Sequence, residues 1–286
     1  MNVHPQTVVL FHHFRRFLEA AAAREIDVAP LKGAHLLTSV YPEGEGRGTM
    51  SDVDFLVRPE QWDAALEILV SLGFAQKDLP GRPVTRATFY EAWFYLTVSD
   101  RERILFEPHR YLVQPARLNI DYTELWSRSV ASTFDGVPCR RLSVEDHILY
   151  TVVHLTTHFF SLQPVWLRDL SLLFTEGRPD ISVLERRAAS WRVKRAAWLV
   201  FTLLSESGVG PDVTALCRQL APPKSVQKLL RLLVPDANGL RFQSADLRLR
   251  EALLWPAVFD SPVDFVRFGG SYLVLRFRDL LKNFSS

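Results

Sequence analysis

Asp52 and Asp54 are separated by a single valine and lead directly into an apolar run. Because side chains alternate between the two faces of a β-strand, a strand over residues 52–57 would place both carboxylates on one face. Carboxylates this close repel each other unless a cation lies between them, and oxygen ligands favour Mg²⁺ or Mn²⁺ over zinc. The pair alone fits either a divalent-metal site or an ordinary acidic turn.

Three neighbouring features point to phosphate chemistry. Gly33 follows Lys32 where a short strand passes into a helix, and a helix N-terminus with a glycine can approach a phosphate closely. Arg47, in the glycine-rich loop 42–51, is either a phosphate clamp or a solvated charge. Glu107, inside an apolar strand, is either a third metal ligand or a solvent-facing side chain. Each feature has an ordinary structural explanation by itself, and their combination favours a metal–nucleotide site.

The elements that must hold these residues are those of an α+β protein. An N-terminal α/β domain is predicted over residues 1–140 and an α-helical domain over residues 141–286. The first is predicted to contain helices over 6–25, 34–41 and 58–74, strands over 27–33 and 52–57, and a hairpin over 84–113. The second is predicted to contain helices over 142–160, 163–175, 181–190, 192–207, 211–220, 223–234 and 245–258, and a final stretch from 262 that includes Arg267, Arg276 and Arg278.

This order of residues resembles the nucleotidyltransferase superfamily of the DNA polymerase β type. It is more closely similar to a bacterial family known only as uncharacterised nucleotidyltransferases, over residues 28–175. The matching motifs are Lys32-Gly33, Tyr41, Arg47, Ser51-Asp52-Val53-Asp54-Phe55-Leu56-Val57, Glu107-Pro108-His109, His154, His158 and Trp166-Leu167-Arg168-Asp169-Leu170. The resemblance implies a nucleotidyltransferase-type mixed sheet with helices.

The resemblance also implies an activity. The enzyme would use Mg²⁺ (or Mn²⁺) to move an NMP from an NTP, ATP among them, to a hydroxyl acceptor with release of pyrophosphate. The acceptor would be a small molecule, the end of a tRNA or a protein side chain. Asp52, Asp54 and Glu107 would be the catalytic residues and the ligands of two metal ions. The residues implied to contact the nucleotide or the acceptor are Lys32, Gly33, Arg47, Ser51 and His109.

One departure from the superfamily pattern keeps a second function open. Gly33-Ala34 stands where the superfamily usually has Gly-Ser or Gly-Gly, so a serine contact to phosphate is missing. This favours a catalytically weak nucleotide-binding module, such as part of a toxin–antitoxin or defence pair. The complete acid set of Asp52, Asp54 and Glu107 favours the enzyme.

His154 and His158 are four residues apart on a predicted helix and therefore share a face. A zinc hydrolase would use such a pair, but the metalloprotease motif needs a glutamate after the first histidine, and Leu155 stands there. The preferred interpretation is a buried polar network with Trp166 and Asp169 where the helical domain meets the catalytic domain. The alternative is a lining of the nucleotide or acceptor pocket.

The composition is that of a globular protein. The 286 residues carry a net charge of +2, which neither requires nor excludes a nucleic-acid partner. Two separated cysteines, Cys139 and Cys217, indicate a reducing compartment. With no signal-peptide pattern and no apolar run of membrane-spanning length, the sequence predicts a cytoplasmic protein that does not associate with membranes. The sequence indicates no particular oligomeric state.

Overall fold

The computed structural model of the chain describes residues 4–43, 45–76, 90–99, 102–114, 118–158, 160, 163–236, 238, 254–267 and 269–270. The chain forms two compact units. The first comprises the described residues of Met1–Pro115 and Asp121–Ser143, and the second those of Ala116–Ile120 and Val144–Phe277. The first unit contains the β-sheet and the second is helical.

The first unit contains four helices and seven strands among its described residues. The helices are α1 (Pro5–Ala23), α2 (Lys32–Ser39), α3 (Trp62–Ser71, preceded by a 3₁₀ turn at Pro59–Gln61) and α4 (Tyr122–Arg128). The strands are β1 (Val28–Pro30), β2 (Asp52–Val57), β3 (Ala75–Gln76), β4 (Phe94–Ser99), β5 (Glu102–His109), β6 (Val130–Phe134) and β7 (Val137–Arg141). The predicted helices, the strand at 52–57 and the part of the hairpin within the described residues are confirmed.

The main sheet has five strands in the order β1-β2-β5-β4-β3. Strands β2 and β5 are parallel, whereas the other pairs are antiparallel, so the predicted mixed sheet is confirmed. Since the side chains of paired positions point the same way, the β2–β5 register fixes which residues meet on each face. Asp54 is paired with Glu107, and Leu56 with His109.

Helix α1 covers one face of this sheet with aromatic side chains. Phe14 and Phe17 are fully buried, and their ring centroids lie 5.4 and 4.7 Å from that of Phe55 on β2. Phe14 also packs edge-on against Phe106 on β5, at 5.8 Å. Each buried phenylalanine contributes about 1.5–3 kcal/mol to stability. The core therefore lies directly behind the two parallel strands and holds them rigidly.

A second hairpin, formed by β6 and β7, was not predicted. Its turn is Asp135-Gly136, where both residues have positive φ, 48° and 79°. An Asp-Gly pair between two strands is a strong hairpin signal, because a type I′ turn needs positive φ at both central positions. Phe134, at the end of β6, packs against Phe14 with centroids 5.0 Å apart.

The second unit is built around α8. Its helices are α5 (Val144–Thr157), α6 (Pro164–Thr175), α7 (Ile181–Trp191), α8 (Lys194–Glu206), α9 (Pro211–Gln219) and α10 (Lys224–Leu233). Six consecutive residues of α8, 196–201, are buried, which is expected of a helix surrounded by others. The predicted helices from 142 to 234 are thereby confirmed to within a few residues at each end. No helix among the described residues is long and apolar enough to cross a membrane.

The last predicted elements are described only in part. Residues 254–258 are helical, in agreement with the predicted helix over 245–258, whose first nine residues lie outside the described ranges. Arg276 and Arg278 of the predicted final segment also lie outside the described residues, whereas Arg267 is exposed.

Candidate active site

The parallel register of β2 and β5 brings together three side chains able to bind a metal. The carboxylates of Asp54 and Glu107 and the imidazole of His109 each offer a ligand atom within 4.8 Å of the others. Asp54 is 4% exposed and His109 is 2% exposed. Because Glu107 and His109 are two residues apart on β5, their side chains emerge on the same face as that of Asp54.

Lys32 lies against this group. Its Nζ is 2.6 Å from Oδ1 of Asp54, and the same oxygen lies 3.0 Å from Nε2 of His109. Lys32 has a φ of +43°, which is uncommon for a residue with a side chain and strains the backbone. The strained residue therefore delivers a positive charge to the most buried acid of the site.

Gly33 lies in the first turn of α2, one turn from the sheet. A Cβ at this position would be only 2.9 Å from Nη1 of Arg47 and 3.0 Å from Cε of Met50. The arginine from the predicted glycine-rich loop thus packs directly over the glycine at the start of the helix. The predicted strand over 27–33 ends earlier, at Pro30, and Gly33 belongs to the helix instead.

Asp52 is at the first position of β2 and only partly exposed, and it lies outside the group of mutually close ligand atoms. Oγ of Ser51 donates a hydrogen bond to its Oδ1 at 3.0 Å. Its role as a metal ligand stays a prediction. The charges of Lys32 and Arg47 both act on Asp52, so the residues predicted from the sequence share one electrostatic environment.

The surroundings do not stabilise the ionised forms of all three acids of the site. Burial, followed by the charge of Asp54, raises the pKa of Glu107 to about 9. Burial and the charge of Asp54 also raise the pKa of Asp52. For Asp54 burial acts in the same direction, but the ammonium of Lys32 and the hydrogen bond with His109 outweigh it and hold the pKa well below its usual range.

A divalent cation fits these residues. Two carboxylates and one imidazole are ligands for Mg²⁺, Mn²⁺ or Fe²⁺, and a second positive charge would stabilise the ionised form of Glu107. The three ligands come from adjacent strands backed by the aromatic core, so little ordering is needed for them to bind together.

Comparison with known proteins decides the family. A family model described as uncharacterised nucleotidyltransferase matches residues 4–207. The chain belongs to this family. The match includes every residue named above for the site, and it confirms the resemblance found in the sequence motifs. No curated protein matches the chain.

Three solved structures show limited similarity to the chain. The solution structure of the antibiotic-resistance factor ANT(2'')-Ia is 15% identical, with a TM-score of 0.43, and covers 67% of this chain and 95% of its own. The crystal structure of ANT(2")-Ia in complex with adenylyl-2"-tobramycin is 16% identical, with a TM-score of 0.41, and the match covers 64% of this chain and 96% of that one. The crystal structure of an antigenic nucleotidyltransferase-like protein from Paracoccidioides brasiliensis is 14% identical, with a TM-score of 0.42, and the match covers 73% of this chain and 92% of that one.

Sequence reasoning missed one acid of this site. Oε2 of Glu91 lies 3.8 Å from Nδ1 of His109, and the side chain is 16% exposed. Glu91 is positioned by an isolated β-bridge with His109, beside the end of β5. The sequence signal was weak, because Glu91 precedes β4 and has no fixed spacing from the other acids.

The histidine pair lies in the helical unit. The rings of His154 and His158 are 4.5 Å apart, and Trp166 packs against both, at 5.6 and 4.7 Å. His158 is exposed and Asp169 is 2% exposed, so the predicted buried network does not extend to His158. Within the described part of the chain, the pair belongs to no group of three metal-ligating side chains, which gives no support to the zinc-hydrolase interpretation.

Proposed function

We propose that this chain transfers an NMP from an NTP to a hydroxyl acceptor in a reaction that depends on a divalent cation. The observation that carries the proposal is the parallel pairing of Asp54 with Glu107, which places two carboxylates and His109 around one point, with Lys32 beside them. Family membership supports the same reaction class. The first unit would be the catalytic domain.

The donor would bind through its phosphates. Lys32, the Gly33 backbone at the start of α2, and Arg47 bring positive charge to the same region as the acids. Binding of a triphosphate there would draw Lys32 away from Asp54 and leave that carboxylate for the metal. Asp54, Glu107 and His109 would hold the cation, with Asp52 and Ser51 at its edge.

The transfer step forms one bond and breaks one. The acceptor oxygen bonds to the α-phosphorus, the bond from that phosphorus to the bridging oxygen breaks, and pyrophosphate leaves with the electron pair. The acceptor hydroxyl loses its proton to Glu107, which would be ionised, and so able to accept it, only with the cation bound. When bound, the cation offsets the negative charge that develops on the phosphates. The protein acts mainly by positioning the reactants and by charge stabilisation.

A second function rests on two observations. Gly33-Ala34 lacks the serine of the superfamily pattern, and Lys32 is in direct ion-pair contact with Asp54. A nucleotide-binding module without turnover would keep the triphosphate contacts and never release Lys32 from the acid. Such a protein would bind an NTP and transfer nothing.

Transfer of label tests the proposal. Each of the four [α-³²P]NTPs would be incubated with the protein, Mg²⁺ or Mn²⁺, and separate fractions of tRNA, protein and small metabolites. The proposal predicts label on one acceptor class for the wild type and for Asp63→Asn, an exposed carboxylate on α3, and none for Asp54→Asn. Tight NTP binding by the wild type with no labelled acceptor in any fraction would favour the binding module.

A further inference from the structure

His109 differs from the acids around it because it would give the metal a nitrogen ligand. Its Nε2 lies 3.0 Å from Oδ1 of Asp54, with both side chains almost fully buried. Two ligands bound at right angles about 2.1 Å from one cation are about 3 Å apart. The observed 3.0 Å is a hydrogen-bond distance, and it is also the spacing at which both atoms could bind one ion.

The other nitrogen of His109 faces Glu91. Nδ1 of His109 and Oε2 of Glu91 are 3.8 Å apart, so the two groups would have to approach each other by several tenths of an ångström to form a hydrogen bond. A metal-bound histidine ordinarily donates its other N–H to a carboxylate, which fixes the tautomer and the ring orientation. Here the carboxylate is already on the correct side of the ring.

The backbone holds Glu91 in this place. The amide of Ala92 donates to the carbonyl of Pro108 at 3.0 Å, and the amide of Arg110 donates to the carbonyl of Tyr90 at 2.7 Å. These bonds flank the β-bridge between Glu91 and His109 on both sides. Strand pairing therefore fixes the backbone of Glu91 beside that of His109, on the face where the metal site lies.

We propose that His109 is an inner-sphere nitrogen ligand of the divalent cation, that Glu91 is its positioning residue, and that the site therefore prefers Mn²⁺ to Mg²⁺. This inference rests on the proposed function, because it assumes that a divalent cation binds at this site. Mg²⁺ demands oxygen ligands and gives up its water reluctantly, whereas mixed carboxylate and imidazole sites hold manganese or iron. An all-carboxylate site also binds Mn²⁺ more tightly than Mg²⁺, so the diagnostic quantity is the additional Mn²⁺ preference that His109→Gln would lose.

Electron spin-echo spectroscopy of bound Mn²⁺ tests the inference without any nucleotide. The wild type is expected to show ¹⁴N modulation from a directly bound imidazole, and His109→Gln is expected to lack it. Calorimetry is expected to give Mn²⁺ affinity at least about 10-fold above that of Mg²⁺, and Glu91→Gln is expected to lower the Mn²⁺ affinity about 10-fold. The matched controls are His12→Gln and Glu67→Gln, which change exposed side chains.

The results separate this inference from the proposed function. Mn²⁺ bound to the wild type without nitrogen modulation, or no Mn²⁺ bound at all, would overturn the inference. Equal loss of Mg²⁺ and Mn²⁺ affinity in His109→Gln would also overturn it. If the protein transfers label but shows no nitrogen signal, the proposed function holds and the inference is wrong. If it binds Mn²⁺ through nitrogen but transfers no label, the inference holds and the proposed function is wrong.

Discussion

The ammonium of Lys32 and the carboxylate of Asp54 are in direct contact, with Nζ 2.6 Å from Oδ1, at the point where a divalent cation would bind. Only 22% of the lysine side chain and 5% of the aspartate side chain are exposed, so water screens the pair weakly. A cation that bound to this carboxylate oxygen would compete with the ammonium of Lys32 for it.

Lys32→Met should separate the competition of Lys32 with the metal from its contribution to NTP binding. Without the competing ammonium, nucleotide-free protein is expected to bind Mn²⁺ or Mg²⁺ about 10-fold more tightly. NTP affinity should fall, because one phosphate-binding charge is lost. Calorimetry of the metal alone and of the NTP measures the two effects, with the exposed Lys224→Met as the control. Weaker metal binding in Lys32→Met would show that the lysine supports the metal site and does not compete with the ion.

Gly33→Ala should displace Arg47 and leave the fold intact. The added Cβ would be 2.9 Å from Nη1 of Arg47 and 3.0 Å from Cε of Met50, which are the far ends of flexible side chains and would have to shift by a few tenths of an ångström. We expect the free energy of unfolding to stay within about 1 kcal/mol of the wild-type value, and NTP affinity to fall several-fold. The control is Gly269→Ala, where a Cβ meets nothing within 4 Å. Unchanged NTP affinity in Gly33→Ala would remove Arg47 from the phosphate site.

Asp52→Asn should affect transfer more than metal binding. Asp52 lies outside the close group of Asp54, Glu107 and His109, so the cation should bind to the variant almost as it does to the wild type. Transfer is expected to fall about 100-fold or more, because a carboxylate at the edge of the cation site is lost. Calorimetry and the label-transfer assay measure the two quantities. A large loss of metal affinity, measured in the absence of nucleotide, would instead show that Asp52 binds the same cation as Asp54, Glu107 and His109.

His147 should make the protein sensitive to acid. It is fully buried in α5, and burial lowers its pKa to about 3. In the unfolded chain the imidazole takes up a proton below its ordinary pKa of about 6.5. The folded protein cannot do so until the pH approaches 3, so acid favours unfolding between these values. This residue alone should lower the free energy of unfolding by about 2 kcal/mol between pH 8 and pH 5.

Denaturation in urea at pH 8 and at pH 5 measures this effect. His147→Leu should show a smaller loss of stability between the two pH values than the wild type does, whatever its stability at pH 8. His12→Gln, at an exposed position, should keep the wild-type dependence. An equal loss in His147→Leu and the wild type would mean that other groups cause the acid sensitivity.

The sequence predicted what depends on local pattern. Asp52 and Asp54 precede an apolar run, and Lys32-Gly33 lies where a strand is followed by a helix. Both patterns are local, and the strand β2 and the helix α2 that they predict are present. The turn at Asp135-Gly136 had a local signal that was overlooked. Glu91 had none, because its contact with His109 depends on an isolated β-bridge between separate segments.

The pairing of Asp54 with Glu107 depends on register, which a single sequence does not specify. A shift of one residue between β2 and β5 would turn Glu107 to the opposite face and put Phe106 in its place. The buried rings of Phe55 and Phe106 prevent this shift, because both must face the core beneath α1. The positions of the core residues thus determine the geometry of the site.

Calorimetry of NTP binding is the most direct test of the central claim that Asp54 and Glu107 hold a divalent cation for a nucleotide. All four NTPs would be titrated with and without Mn²⁺ or Mg²⁺ into the wild type, Asp54→Asn, Glu107→Gln and the control Asp63→Asn. We expect metal-dependent binding of at least one NTP to the wild type and the control, and its loss in both site variants. NTP binding to the wild type that is unaffected by the metal, or full metal-dependent binding by Asp54→Asn, would contradict it.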